Sequence, residues 1–243
     1  MFMTSIDDML NSQKIWFTAE DTRLEHLATD SLKQCAEAVS VLINNLREVG
    51  YIWAAVEPIP RASLERNVST IEKSIESTVP PVLIEFWEKV GGVSLVDLKD
   101  YRHTEFWREH QLVPPAGFCD GLHVDACSNE WARFICDDFV DWKEYQSDGS
   151  DEFLLSLSPD GFHKDDISGG APYGVHGGSS WRPVWENFSW SGSKRPVSAP
   201  DSPPDFLSYL RTTILECAGF PALLWMPAFD PIRERLLKGV PVF

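Results

Sequence analysis

The sequence predicts an α+β fold, a mainly antiparallel sheet flanked by helices, with an N-terminal helical extension. Strand-like runs at Val93 to Val96, Leu122 to Ala126, Arg133 to Cys136, Glu152 to Leu157 and Tyr173 to Val175 are short and closely spaced, with turn residues such as Asp120-Gly121 and Asp148-Gly149 between them. No long helical stretch separates successive runs, so antiparallel pairing is favoured over a parallel sheet, whose crossovers need about a dozen residues or more. Helical periodicity stands instead on either side of this block.

From Leu24 to Val49 the apolar residues Leu24, Leu27, Leu32, Cys35, Val39, Leu42, Ile43, Leu46 and Val49 fall at helical spacing, and Gly50 supplies a stop. Glu57-Pro58-Ile59-Pro60 reads as a connector, since two closely spaced prolines break both kinds of backbone ladder. The chain therefore divides into a helical extension over 1–59, an α+β domain over 60–225 and a tail over 226–243. Ser69 and Glu72 have capping-box spacing ahead of Ile71, Ile75 and Val79, which predicts a short helix. A second helix follows with Pro80 and Pro81 in its first turn, Leu83, Phe86, Trp87 and Val90 as its buried stripe, and Gly91-Gly92 at its end. The proline- and serine-rich stretch from Lys194 to Pro204 reads as a loop. Asp205 then caps a helix carrying Phe206, Leu207, Leu210, Ile214 and Leu215, which Gly219 closes.

Composition narrows the function classes. The longest nearly apolar run, Ala218 to Phe229, contains two prolines and falls short of the roughly 20 residues a bilayer span needs. The first residues lack a basic, apolar export pattern. Cys35, Cys119, Cys127, Cys136 and Cys217 are odd in number and unpaired in spacing, which fits reduced thiols better than a disulfide framework or zinc knuckle. A soluble, cytoplasmic chain is expected. Its formal charge of −16 opposes binding to nucleic acid or to anionic membranes, whose affinity comes from Lys and Arg. A basic protein partner is the natural complement.

The charge is concentrated. Between Asp137 and Asp166 ten acidic residues face only Lys143 and Lys164, so half of the net charge lies there. Asp137, Asp138, Asp141, Glu144, Asp148, Asp151, Asp160, Asp165 and Asp166 are the candidate partner-binding residues, against the alternative of a solvated face that keeps the chain soluble.

No phosphate-binding loop, dinucleotide fingerprint, H-E-x-x-H or G-x-S-x-G pattern is present. His163, Asp165, Asp166 and His176 form the best metal candidate, because imidazole and carboxylate suit zinc or manganese. A hydrogen-bonded loop histidine and two solvated aspartates account for the same residues with fewer demands. Cys136 is a poor nucleophile, since Asp137 and Asp138 disfavour its thiolate. Trp181, Trp185, Phe188 and Trp190 could stack on sugars, fill a core or lid, or anchor a protein interface. The sequence thus predicts neither an enzyme nor a cofactor.

Four segments in order carry a family resemblance. They are Val79-Pro80-Pro81 through Trp87 to Gly91-Gly92-Val93; Cys119-Asp120-Gly121-Leu122-His123-Val124; Ser158-Pro159-Asp160-Gly161-Phe162-His163-Lys164 through Ser168-Gly169-Gly170-Ala171-Pro172-Tyr173-Gly174-Val175; and Phe206 to Arg211 followed by Gly219-Phe220-Pro221. Together they resemble the SUKH superfamily, which groups fungal cell-wall-assembly regulators with bacterial immunity proteins that neutralise polymorphic toxins. The second segment departs from the family pattern in having Gly121 where proline is usual, and the resemblance does not reach 1–57. It implies an α+β fold and a non-enzymatic inhibitor of a toxin domain, with a regulatory or scaffolding role as the alternative. His163, Lys164, Ser168, Gly169, Gly170, Pro172 and Tyr173 then serve as a structural signature joining two strands.

Overall fold

The computed structural model describes residues 6–112, 121–145, 152–158, 172–187 and 203–243, with the backbone alone for 6–22 and for residue 225. The expected fold class is found: helices surround short strands whose pairings among the described residues are all antiparallel.

The N-terminal periodicity forms a single helix, α1 (Ile6–Glu48), and Gly50 ends it with φ of +93°. Ala28, Leu32, Cys35, Val39, Leu42, Ile43 and Leu46 are buried along one stripe, while Leu27 stays exposed. That stripe packs against α3 (Pro81–Lys89), α6 (Phe206–Leu215) and α7 (Asp230–Leu236). Pro81 opens α3 as expected, and Leu83, Phe86, Trp87 and Val90 are all buried.

The connector expected at Glu57-Pro58-Ile59-Pro60 begins inside a strand. β1 (Ala55–Glu57) pairs with β2 (Gly92–Ser94), which pairs with β3 (His123–Val124). The two prolines end the strand rather than separating domains. One continuous apolar core runs from Ala28 to Phe243, so the boundaries expected at 59/60 and 225/226 both fall within it. Residues past 226 form a short 3-10 turn and then α7, and Phe229, Leu236 and Phe243 bury against the rest. Asn45 of α1 holds the end of α7 by donating its amide N–H groups to the carbonyls of Leu236 and Lys238.

Two further expectations are corrected. Ser69 and Glu72 do not cap a helix start, because α2 (Arg61–Ile75) begins eight residues earlier, immediately after Pro60. Leu64, Val68, Ile71 and Ile75 extend the apolar stripe back to that point. The Glu72 carboxylate instead accepts the Val79 backbone N–H beyond the helix. Arg133 to Cys136 is not a strand but lies inside α5 (Asn129–Tyr145), described below. A short helix, α4 (His103–Glu109), places Phe106 and Trp107 against Tyr51 and is read in none of the sequence patterns above.

β4 (Leu154–Ser158) pairs with β5 (Tyr173–His176), so the strands that flank the signature loop are antiparallel neighbours. The Asp125 N–H donates to the Leu157 carbonyl at 2.8 Å, which brings β4 alongside β3. The order is thus β1-β2-β3, then β4-β5, with Glu186 bridging to Gly174 on the far edge.

Asp205 caps α6 as the sequence predicts. Its carboxylate accepts from the Ser208 N–H at 3.0 Å and from Arg182 at 2.7 Å. Burial alone would raise this carboxyl, but the hydrogen bonds from Arg182 and Ser208 outweigh it and hold it below the usual carboxylate range. A depressed folded-state value means that the stabilisation is present above the unfolded value near pH ~4 and fades as pH falls through the folded one. Asp205→Ala is expected to cost about 1–2 kcal/mol at pH 7, and denaturant melts should find the gap to wild type closing in acid. Gly91 has φ of +89°, and a Cβ there would stand 2.4 Å from the Glu57 carbonyl oxygen of β1. Gly91→Ala should therefore destabilise by more than the roughly 1–3 kcal/mol of a strained φ alone, measurable in the same melts.

Candidate functional site

The acidic residues singled out from the sequence fall into two groups. Asp148, Asp151, Asp160, Asp165 and Asp166 lie outside the described residues, as do His163, Lys164, Ser168, Gly169 and Gly170 of the signature. Asp137, Asp138, Asp141 and Glu144 lie together on α5.

The helix starts where Ser128 turns its hydroxyl to the Trp131 N–H at 3.1 Å, and Glu130 sits in its first turn. Trp131, Ala132, Ile135 and Phe139 form its buried face, with Trp142 half-buried behind them. The Trp131 indole N–H donates to the Ser156 carbonyl of β4 at 2.9 Å, and Phe139 and Trp142 close on Phe153 with ring centroids 5.0 and 5.6 Å away. Along its other flank α5 runs parallel to α2, tied by Arg66 to Asn129 at 3.0 Å near one end and by Glu76 to Lys143 at 3.0 Å near the other. Lys143 also lies 4.7 Å above the Phe139 ring.

With that face fixed, 3.6 residues per turn places Glu130, Asp137, Asp141 and Glu144 within about 60° of one another on the outward side, in a row about 21 Å long. All four are exposed. Phe134, at 52 % exposure, and Tyr145, at 83 %, flank the row on one side, and exposed Arg133, with Val140 at 53 % beyond it, flanks it on the other. These apolar side chains are the part of the surface that reading the charges alone missed.

The C-terminal half of the row works against the helix that carries it. Asp137 with Asp141, and Asp141 with Glu144, are like-charge pairs at helical spacing, each destabilising by about 0.2–0.5 kcal/mol. Asp141 and Glu144 also lie towards the C-terminal end, where the macrodipole favours cations. Asp138 is half-buried beside them; burial first, and then the Asp141 charge, push its carboxyl above the usual range.

The remaining candidates are structural in their surroundings. His176 meets the Phe153 carbonyl through Nδ1 at 3.1 Å and faces Glu186 at 3.8 Å. Among the described residues no group of three or more His, Cys, Asp or Glu side chains could hold a metal ion. His123 and Asp125 pair at 3.0 Å with the ring buried in the sheet. Burial pushes the Cys35 and Cys127 thiols up to about 12, which leaves both protonated. Cys136 is half-buried on α5 and Cys119 lies outside the described residues. Trp185 is fully buried and stacked on Tyr209 at 4.6 Å, so its face is closed to a sugar. Trp181 is partly buried against the core, and Phe188 and Trp190 lie outside the described residues. Of the signature, Pro172 offers its carbonyl to Asn187 at 2.9 Å and Tyr173 packs towards Trp185, both structural contacts. No helix among the described residues is long and apolar enough to cross a membrane.

Comparison with protein-family models, curated proteins and solved structures finds no match to this chain.

Asp138 supplies a direct test of the electrostatics. A raised folded-state value means that the protonated form favours the fold and that this advantage disappears as pH rises through it. Asp138→Asn should therefore raise Tm at pH 7 and leave it unchanged in acid, where Asp138 is already neutral. Thermal melts of both proteins across pH 3 to 7 check this, and a uniform loss of Tm would refute the assignment.

Proposed function

We propose that this chain is a non-enzymatic immunity protein of the SUKH kind, which neutralises a cognate toxin domain by binding it directly, with the outward face of α5 as the binding surface. The observation that carries the reading is the exposed row of Glu130, Asp137, Asp141 and Glu144, held outward by the buried tryptophan face of the same helix. Toxins that cleave nucleic acid present cationic substrate grooves, and carboxylates at fixed spacing can occupy such a groove in place of phosphates. The chain's overall charge of −16 adds long-range attraction for the same partner. The resemblance over four ordered segments supports the family, and the cytoplasm is the compartment in which such an inhibitor meets its toxin.

Two experiments decide this. Toxin domains encoded beside the gene, co-expressed with the protein, should bind it and lose toxicity; if none does either, the immunity reading falls. Reversing Asp137 and Asp141 to lysine leaves the buried face of α5 untouched. It should slow association with the partner by about tenfold or more at low ionic strength, with the difference narrowing as salt screens it. An association rate and salt dependence equal to wild type would remove α5 from the interface.

A further inference from the structure

The face of α5 is more than a charged row. Phe134, Val140 and Tyr145 are three of the large apolar side chains that the described residues leave exposed, and all three lie close to the carboxylates. Around the helix the order is Val140, then the exposed Arg133, then the acidic row, then Phe134 and Tyr145, so the strip meets Phe134 and Tyr145 directly on one border and Arg133 with Val140 on the other. A partner lying along the carboxylates therefore meets apolar contact as well as charge.

The charge selects the occupant. A second copy of the same face would set one acidic row against another, and nucleic acid or an anionic lipid surface would be repelled in the same way. The carboxylates recur at intervals of seven, four and three residues, the spacing at which another helix presents one side. We infer that this face docks a cationic amphipathic helix of another protein, whose Lys or Arg residues lie along the acidic row while apolar side chains on its flanks cover Phe134 and Val140. The inference rests on α5 being the binding face proposed above and adds the chemistry of the partner segment. A cationic helix lying there also relieves the like-charge pairs Asp137 with Asp141 and Asp141 with Glu144, and it covers apolar area that water otherwise wets.

The test uses the full chain and a synthetic 18-residue helical peptide of Lys and Leu with all Lys on one face, beside a peptide of the same composition in scrambled order. Fluorescence anisotropy at two salt concentrations should find the amphipathic peptide bound about tenfold more tightly than the scrambled one. Phe134→Ser should weaken it by about tenfold and leave the salt dependence unchanged, whereas Asp137→Asn combined with Asp141→Asn should flatten the salt dependence. Val140→Ser provides a second apolar variant at an equally exposed position, and an unchanged Tm establishes that each variant is folded. Equal affinity for the two peptides, or an affinity indifferent to both apolar variants, overturns the inference. Peptide binding as described without protection from any neighbouring toxin leaves this surface standing and sinks the immunity reading. Protection without peptide discrimination does the reverse.

Discussion

The rotation of α5 about its axis is set by one indole. Trp131 is buried and donates its N–H to the Ser156 carbonyl of β4, and its ring meets that of Trp87 edge-on at 5.2 Å. Trp87 in turn donates to the Asp125 carbonyl just after β3. Two hydrogen bonds and one aromatic contact therefore lock α3, α5, β3 and β4 into one register. An indole N–H that lost its carbonyl in this apolar setting would carry a desolvation penalty of about 1–3 kcal/mol. That penalty, together with the large apolar area of two tryptophans, makes any other rotation of α5 expensive. Everything outward on α5 follows, including the alignment of four carboxylates that are scattered in the sequence.

The same logic of anchoring at both ends recurs through the molecule. α1 buries its stripe against α3 and α6 and then reaches the C-terminal α7 through Asn45, whose amide satisfies two carbonyls at the end of that helix. β1 follows α1 closely and joins β2 where Gly91 lets the backbone approach Glu57, while Gly92 makes room on the other side for Ala126 beyond β3, from which a Cβ would lie 2.6 Å. The N-terminal helix, the sheet and the C-terminal turns thus share one core, and α5 is held at its ends by Asn129 and Lys143 over a rigid base.

Local chemistry was readable from the sequence where one residue decides the outcome alone. Pro81 at the start of α3, Gly50 after α1 and Asp205 at the cap of α6 each act through their own backbone or side-chain constraint, and each is found in that role. The misreadings came from signals with two meanings. Ile135 with its neighbours Phe134 and Cys136 favours a strand locally, yet Trp131, Ile135, Phe139 and Trp142 repeat at helical spacing behind the Ser128 cap, and tertiary burial of that stripe wins. Pro58 and Pro60 mark the end of β1 as well as they would mark a linker, and only the partner strand distinguishes the two. For the site, the acidic bias was legible as composition, but the row required the helix, and the exposure of Phe134 and Val140 required the packing that leaves them out.

Stability and the proposed binding draw on the same charges in α5. Asp137, Asp141 and Glu144 repel one another at helical spacing, Asp141 and Glu144 disfavour the C-terminal end of the helix, and Asp141 helps to raise the Asp138 carboxyl. Hydrophobic packing of Trp131, Ile135 and Phe139 offsets this, and Arg133, one turn from both Glu130 and Asp137, relieves part of it. A cationic partner laid along the row would lower the energy of each exposed carboxylate at once and oppose the Asp141 contribution at Asp138. Asp137, Asp141 and Glu144 are thus a cost to the isolated chain that a cationic partner of the kind proposed would offset. The alignment of the carboxylates beside Phe134 and Tyr145 is the physical argument for reading this face as a surface that meets another protein.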